Sequence, residues 1–424
     1  MADNHLGPLL RLWGISVSQL PPLEASADDI APFLLALLQE AVAFVDTVDD
    51  RMPTALWKPT HSKIFRGKEA GGAGKKDKVQ VNILRRRVSA DRLKMVAATR
   101  TAALGGVLAA NAVQTILPGK NKKLEFSPSS ETWFCRRSRH PNAAMAGTAS
   151  WTEFRTYLKD NHAASEDDMT DNITGAREAL VWPAAGLALQ GAEEGGRRWS
   201  NFPLGVYEIR HKLSKPLHTR VFPVLQMTCA AVSGGSGSEG EDQIQNGNDE
   251  LLVPEFLVVS VTVNNFATAP MPGEDATDVA LRLSSQPGVV LGFYASVERV
   301  RLLPTGAGDN RGTGLVEWVM ATTSNARGAL PSMVQELAIP GEISKDVPLF
   351  FRWLQNRPRL DDPLEPAAAA TENLPQAAEP AAFPFPLMDA DLAAAEPILT
   401  PTAAPTIAPT ATPPPLIAPA DTHP

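Results

Sequence analysis

Few residue sets in this 424-residue chain have the types and spacing that chemistry uses. Gly235, Gly237 and Gly240 form G-x-G-x-x-G, a pattern that meets a pyrophosphate when a helix follows. Here EDQIQNGNDE follows, polar and carrying Gly247, so the stretch reads as a strand-connecting loop. Gly74-Lys75-Lys76 lacks the earlier glycine and the following Ser or Thr of a phosphate loop. His211 and His218 flank a short loop and can approach each other, but no Cys or carboxylate joins them at ligand spacing, so no metal site is expected. Cys135 and Cys229 fall in strand-like runs and read as buried thiols. There is no G-x-S-x-G and no nucleophile–base pair. The expectation is a non-enzyme with no catalytic residue, metal or cofactor; a perturbed carboxylate or histidine deep in a pocket would reopen the question.

More telling are charges set into apolar strand-like runs. Glu208, Arg210 and His211 lie in VYEIRHKL, Arg220 precedes VFPVLQM, and Glu298, Arg299 and Arg301 lie in SVERVRLL. Alternation sends neighbouring side chains to opposite faces, and a buried charge needs a partner. Two readings stand side by side: a polar end to an apolar cavity, or an outer face laced with ion pairs.

The elements that would position these residues begin with Ser26 to Val48. Its apolar stripe of Ile30, Phe33, Leu34, Leu37, Leu38, Ala41 and Val45 predicts a helix capped by Ser26 or Asp28. Residues 1–25 are expected to be a flexible leader. Trp57 to Arg87 reads as irregular and basic, and Val88 to Phe126 as an insertion with a helix in it. From Glu131 onward, runs rich in Val, Phe, Tyr, Trp and Thr predict strands at Thr132–Ser138, Gly205–Leu213, His218–Ala231, Glu255–Val263, Val289–Leu303 and Leu315–Thr323. Helices are expected at Ser150–Asn161 and Asp171–Trp182. Leu213 to Leu217 reads as a hairpin loop, and Ser233 to Asn248 as a long mobile one. Strands in runs argue for an antiparallel sheet and an α+β fold. A last helical region starts after Pro331, broken at Pro340-Gly341 and resuming near Asp346.

Net charge is −8, but from Leu360 onward there are nine acidic residues and no Lys or Arg, so the folded part is nearly neutral. Nucleic-acid binding is therefore not expected. Residues 356–424 hold sixteen of the 37 prolines and read as a disordered tail. Two cysteines and a start without a basic, apolar leader point to the cytoplasm. Lys58 to Arg87, with Lys63, Arg66, Lys68, Lys75, Lys76 and Arg85 to Arg87, suits either a solvated loop or peripheral contact with an anionic membrane.

SVERVRLL and EWVMATTSNARGALPSM resemble the closing segment of the START lipid-transfer family, where a last strand meets a turn, then Pro and a lid helix. WFCRRSRH, AGTASW and KDVPLFFRWL look closer to a fungal START-like family of unknown function. The likeness runs from about Phe33 to Trp353, apart from Val88–Phe126, within an expected domain of residues 26–355. It implies a helix-grip fold, a curved antiparallel sheet around a long C-terminal helix, with a cavity that binds a lipid or other hydrophobic small molecule. Alternation then nominates Tyr207, Ile209, Val259, Val261, Phe293, Trp318 and Met320 as sheet-side lining. Met333, Val334, Leu337, Phe350 and Trp353 are the helix-side lining, and Arg220 or Glu298 would orient a polar group. The other readings are an adaptor whose core is filled by its own side chains and whose tail recruits partners, and a helix-grip enzyme.

Overall fold

The structure is a computed structural model, and it describes residues 6–49, 56–66, 78–105, 130–170, 173–189, 191–212, 218–232, 254–303, 314–328 and 332–360. Its twelve strands are β1 Lys58–Arg66, β2 Lys78–Ser89, β3 Ser130–Pro141, β4 Ile173–Val181, β5 Ala192–Glu194, β6 Arg197–Ser200, β7 Leu204–His211, β8 Arg220–Val232, β9 Glu255–Thr262, β10 Val290–Leu291, β11 Phe293–Leu303 and β12 Leu315–Asn325. The helices are α1 Ala27–Asp46, α2 Ala90–Gly105, α3 Trp151–Arg155, α4 His162–Met169, α5 Ala185–Ala188, α6 Ala276–Ala280, α7 Ser332–Ile343 and α8 Asp346–Leu354, with a π-helical turn at Thr156–Asp160.

All strands form one sheet, ordered β1-β2-β3-β12-β11-β9-β8-β6-β5, with β7 joining β8 to β4 and the short β10 pairing with β8. Every pairing is antiparallel except β10 with β8. Alternation divides the sheet into two faces. Cys135, Met227, Leu257, Val259, Val261, Ala295, Val297, Val319 and Ala321 pack with α1 and the N-terminal segment. Phe134, Phe256, Val258, Val300, Val316 and Trp318 pack with α3, α7 and α8. Strands β3 and β7 stand five places apart, about 24 Å in a flat sheet at ~4.8 Å per strand. Arg136 of β3 and Ile209 of β7 nevertheless line one cavity, so the sheet curls around the C-terminal helices. This is the helix-grip α+β arrangement.

Several elements depart from the sequence reading. The basic stretch 58–87 holds β1 and β2 as an antiparallel pair, rather than being irregular throughout, and residues 67–77 lie outside the described residues. Expected insertion residue Val88 closes β2 on β3, and Leu93 and Val96 of α2 are buried in the α1-side core. Residues 106–129 lie outside the described residues. Ile173–Val181 is a strand, not a helix, because pairing with β7 outweighs the helix propensity of its Ala, Arg, Glu and Leu. The leader is not free from Leu6 onward. Leu9, Leu10 and Ile15 are fully buried, Glu40 accepts the backbone N–H groups of Leu9 and Leu10, and Glu131 accepts from Arg11, Leu12 N–H and the Trp133 indole. At the other end, order continues past α8. Arg359 makes a two-pronged bond to the buried Glu153, which also accepts from Leu360 N–H. Residues 361–424, the loop 213–217 and the G-x-G-x-x-G stretch fall outside the described residues.

The helix starts follow local chemistry. Ser26 caps α1 and Ser150 caps α3, each in a reciprocal box with the residue three positions on, Asp29 and Glu153. Pro340 does not end α7, which runs to Ile343; the chain then turns and α8 starts at Asp346.

Candidate functional site

The closing strand and the lid are joined by a built turn. Asn325 Oδ1 accepts from Arg327 N–H at 2.8 Å, and Arg327 and Gly328 take φ of +50° and +67°. Arg220 donates to the carbonyls of Ala326, Arg327 and His218, clamping this turn. Gln335 of α7 accepts from Ala326 N–H at 2.6 Å. The lid is thereby tied to the sheet at its N-terminal end.

Between α7, α4 and the sheet lies a cavity of about 430 Å³. Its floor is Val258 and Ser260 of β9, Tyr294, Ser296 and Glu298 of β11, and Trp318, Met320, Thr322 and Ser324 of β12, with Ile209 and Phe222 at one side. Its roof is Ala338, Ile339, Glu342 and Ile343 of α7. Beside the cavity the concave face is packed by aromatic rings. Phe154, Trp318, Phe350 and Phe351 pack ring against ring at 5.4–6.2 Å between centroids. One end of the bowl is thus filled by the protein's own side chains and the other is open space.

A cluster of charges marks the polar end. The Arg136 guanidinium lies over the Trp318 ring at 4.0 Å and donates to Glu298 at 2.8 Å. Glu298 also accepts from the Trp318 indole at 2.5 Å. Asp346, the first residue of α8, stands 3.5 Å from Arg136 Nε. Its side chain keeps 38% of its surface accessible, yet burial, opposed by Arg136 and reinforced by Glu298 and Glu166, pushes its carboxyl up to about 7. Burial alone would lower His162, but the Glu166 carboxylate 3.4 Å away outweighs it and raises the imidazole to about 9. Glu166 responds in kind: burial acts to raise it, and His162 holds it below the usual carboxylate range. His211 is lowered by burial, with Glu166 opposing. Perturbed carboxylates and histidines thus lie together in the pocket, the arrangement that enzyme chemistry would need. None is paired with a Ser, Cys or Thr nucleophile in the hydrogen bonds of the described residues, and no group of three metal-ligating side chains occurs among those residues.

Of the nominated lining, the cavity brings together Ile209, Arg220, Glu298, Trp318 and Met320. Val259 and Val261 point to the opposite face, one position out of phase with Val258 and Ser260, and pack in the α1-side core. Phe293 is likewise out of phase with Tyr294, and the Arg327 guanidinium stacks on it at 4.6 Å. Tyr207 donates to Glu178 at the sheet's edge. Phe350 belongs to the aromatic plug, and Trp353 packs on Tyr157 and donates to Asp168. Met333, Val334 and Leu337 face outward, Met333 being 72% and Leu337 73% exposed. Arg136, His162, Glu166 and Asp346 were missed. The signal for Arg136 was its alternation with Phe134 in WFCRRSRH; nothing in the sequence placed α4 against β11.

The two readings of the strand charges are both realised, sorted by phase. Glu298 and Arg220 reach the cavity side. Arg299, Arg301 and Glu317 face α1, where Asp46 accepts from Arg197 and Arg299, and Asp49 from Arg301. Glu208 instead caps the turn at Leu283 and Ser284 by accepting both N–H groups. Both cysteines are buried thiols, and burial pushes Cys135 up to about 12.

Fold and site together define a helix-grip protein with a partly polar cavity between α7 and the sheet. The chain belongs to the family described as proteins of unknown function, DUF3074, whose match spans residues 133–354, more than half of its length. No curated protein matches it. Among solved structures it is similar to human StAR-related lipid transfer protein 5 (15% identity, 76% of this chain, 97% of that chain, TM-score 0.36). It is also similar to human STARD10 (9%, 74%, 78%, 0.34) and the human StarD13 lipid transfer and protein localization domain (8%, 70%, 90%, 0.31).

Proposed function

We propose that the protein binds one hydrophobic small molecule or single-chain lipid in the cavity beneath α7, holding or moving it without covalent chemistry. The observation that carries this is the cavity itself: about 430 Å³, floored by Ile209, Phe222, Val258, Trp318 and Met320 and roofed by Ile339 and Ile343. That volume lies toward the small end of the ~300–1,000 Å³ usual for ligand sites, which suits one chain or ring system better than a two-chain phospholipid. Removing ~200 Å² of ligand surface from water contributes ~5 kcal/mol. A filled-core adaptor is the weaker reading, because only the aromatic end of the bowl is packed. Titration of the full-length protein with a fluorescent single-chain fatty probe tests the proposal. The expected result is saturable binding at one site per chain; no saturable binding of any apolar probe overturns it.

We propose further that α7 is the face that meets a membrane. Its outward residues Met333, Val334 and Leu337 are apolar and exposed. Lys63 Nζ lies beside Gly341 of α7, and Arg85 and Arg87 sit in β2 beside Phe134 and Thr132; the Thr132 hydroxyl donates to Glu336 of α7. Apolar side chains flanked by basic ones suit an anionic phospholipid surface. Replacing both Met333 and Leu337 by Glu is expected to cut partitioning into phosphatidylserine vesicles by about tenfold or more, each inserted side chain contributing ~1–2 kcal/mol. Unchanged sedimentation with vesicles would remove this face from consideration. Among the described residues no helix is long and apolar enough to cross a membrane.

A further inference from the structure

The polar end of the cavity is short of cations. Four carboxylates line the cavity; Glu342 of α7 pairs with Lys345, which leaves Glu166 from α4, Glu298 from β11 and Asp346 from α8, and two cations answer these three, Arg136 from β3 and His162 from α4. The third cation of the lining, Arg220, directs its donors to the carbonyls of His218, Ala326 and Arg327. Lys345, next to Asp346 in the chain, pairs with Glu342 on the surface. His211 faces the cluster with its pKa lowered by burial. One donor is also left over. Arg136 is 2% exposed; its Nη2 donates to Glu298 and its Nε has only the 3.5 Å contact with Asp346, while its Nη1 has no hydrogen-bond partner among the described residues.

A ligand that completes this site brings a positive donor to the carboxylates and an oxygen to Arg136. We propose, building on the cavity-binding reading above, that the ligand is an alkyl amino alcohol: its ammonium lies beside Asp346, its hydroxyl accepts from Arg136 Nη1, and its chain runs along Ile209, Met320 and Ile339. A fatty carboxylate brings a further negative charge and is rejected.

The electrostatics of the site agree. Asp346 is held up near 7 by burial and by Glu298 and Glu166 against the pull of Arg136, a strain that an incoming cation relieves. His162, raised to about 9, and Glu166, held low, keep their charges between pH 6 and 8. With a group at about 7, the ionised, binding-competent fraction rises about tenfold from pH 6 to pH 8, and amine affinity rises with it. The bound state then releases about half a proton at pH 7.

The test is calorimetric titration of the full-length protein with three probes of equal chain length: a dodecyl amino alcohol, dodecanol and dodecanoate. The amino alcohol is expected to tighten about tenfold between pH 6 and pH 8, with a binding heat that depends on the buffer's own protonation heat. It is expected to bind at least about tenfold tighter than dodecanoate at pH 8. Asp346→Asn removes the pH slope; if that variant does not fold, proton release by the unaltered protein decides. Dodecanoate binding as tightly as the amino alcohol, or an amine affinity flat in pH, overturns the proposal while leaving apolar binding intact so long as dodecanol binds. If none of the three binds, the cavity reading itself falls.

Discussion

Replacing Glu317 by Ala is expected to lower the unfolding free energy by about 3–5 kcal/mol, the cost of stranding buried charge. Glu317 is fully buried near the start of β12 and accepts from three guanidinium groups: Arg137 Nε at 2.7 Å, Arg139 Nε at 2.9 Å and Arg301 Nε at 2.7 Å. Without the carboxylate, Arg137 and Arg139 lose this acceptor, and Arg301 keeps Asp49 at 3.0 Å. A domain of ordinary stability has ~5–15 kcal/mol in all, so the loss is a large share. Burial alone would raise Glu317, but Arg301 and Arg137 hold it below its ordinary 4.5. Its folded pKa is depressed, so the stability it contributes is present above 4.5 and disappears as acid protonates the native carboxyl. Denaturant unfolding measures the effect. Arg139→Ala, at a side chain 47% exposed, is the contrast and should cost under about 1 kcal/mol. A Glu317→Ala variant within about 1 kcal/mol of the parent would mean that the α1-side ion network does not hold the sheet.

Replacing Ser296 by Trp is expected to abolish ligand binding, by about a hundredfold or more, while the protein stays folded. Ser296 sits mid-strand in β11 between Ser260 and Thr322, and all three line the cavity floor. A ring placed there occupies space rather than displacing core, so the penalty falls on the ligand. A hundredfold loss corresponds to ~2.8 kcal/mol. Thermal unfolding and near-ultraviolet circular dichroism check that the fold persists. Full affinity in a folded Ser296→Trp protein would place the ligand elsewhere.

How much of this was legible in advance depended on which residues interact locally. Ser26 with Asp29 and Ser150 with Glu153 signal helix starts within four residues, and the α1 stripe declares its own period. The six strand runs announced themselves through β-branched and aromatic content. Phase was harder, because a step of one residue exchanges faces. Val259 and Val261 are as apolar as Val258, and only the sheet's two-sided packing shows that they serve α1. Glu298 carried usable information: counting back by two from it reaches Ser296 and Tyr294, both in the cavity. The lid misled for a physical reason. Met333, Val334 and Leu337 look like a buried stripe, but α7 turns Gln335, Ile339 and Ile343 inward instead. The His162–Glu166 pair and Asp346 meet Arg136 only through tertiary packing of α4 and α8, for which no local pattern exists.

The most direct measurement of the central idea is photolabelling with an alkyl diazirine probe, followed by mapping of the modified peptides. The account predicts labels on the cavity wall, at Met169, Met320 and Ile339, competed away by unlabelled probe and lost in Ser296→Trp. Labels confined to the outward residues Met333 and Leu337, with none inside, would show a greasy surface and no bound ligand beneath it.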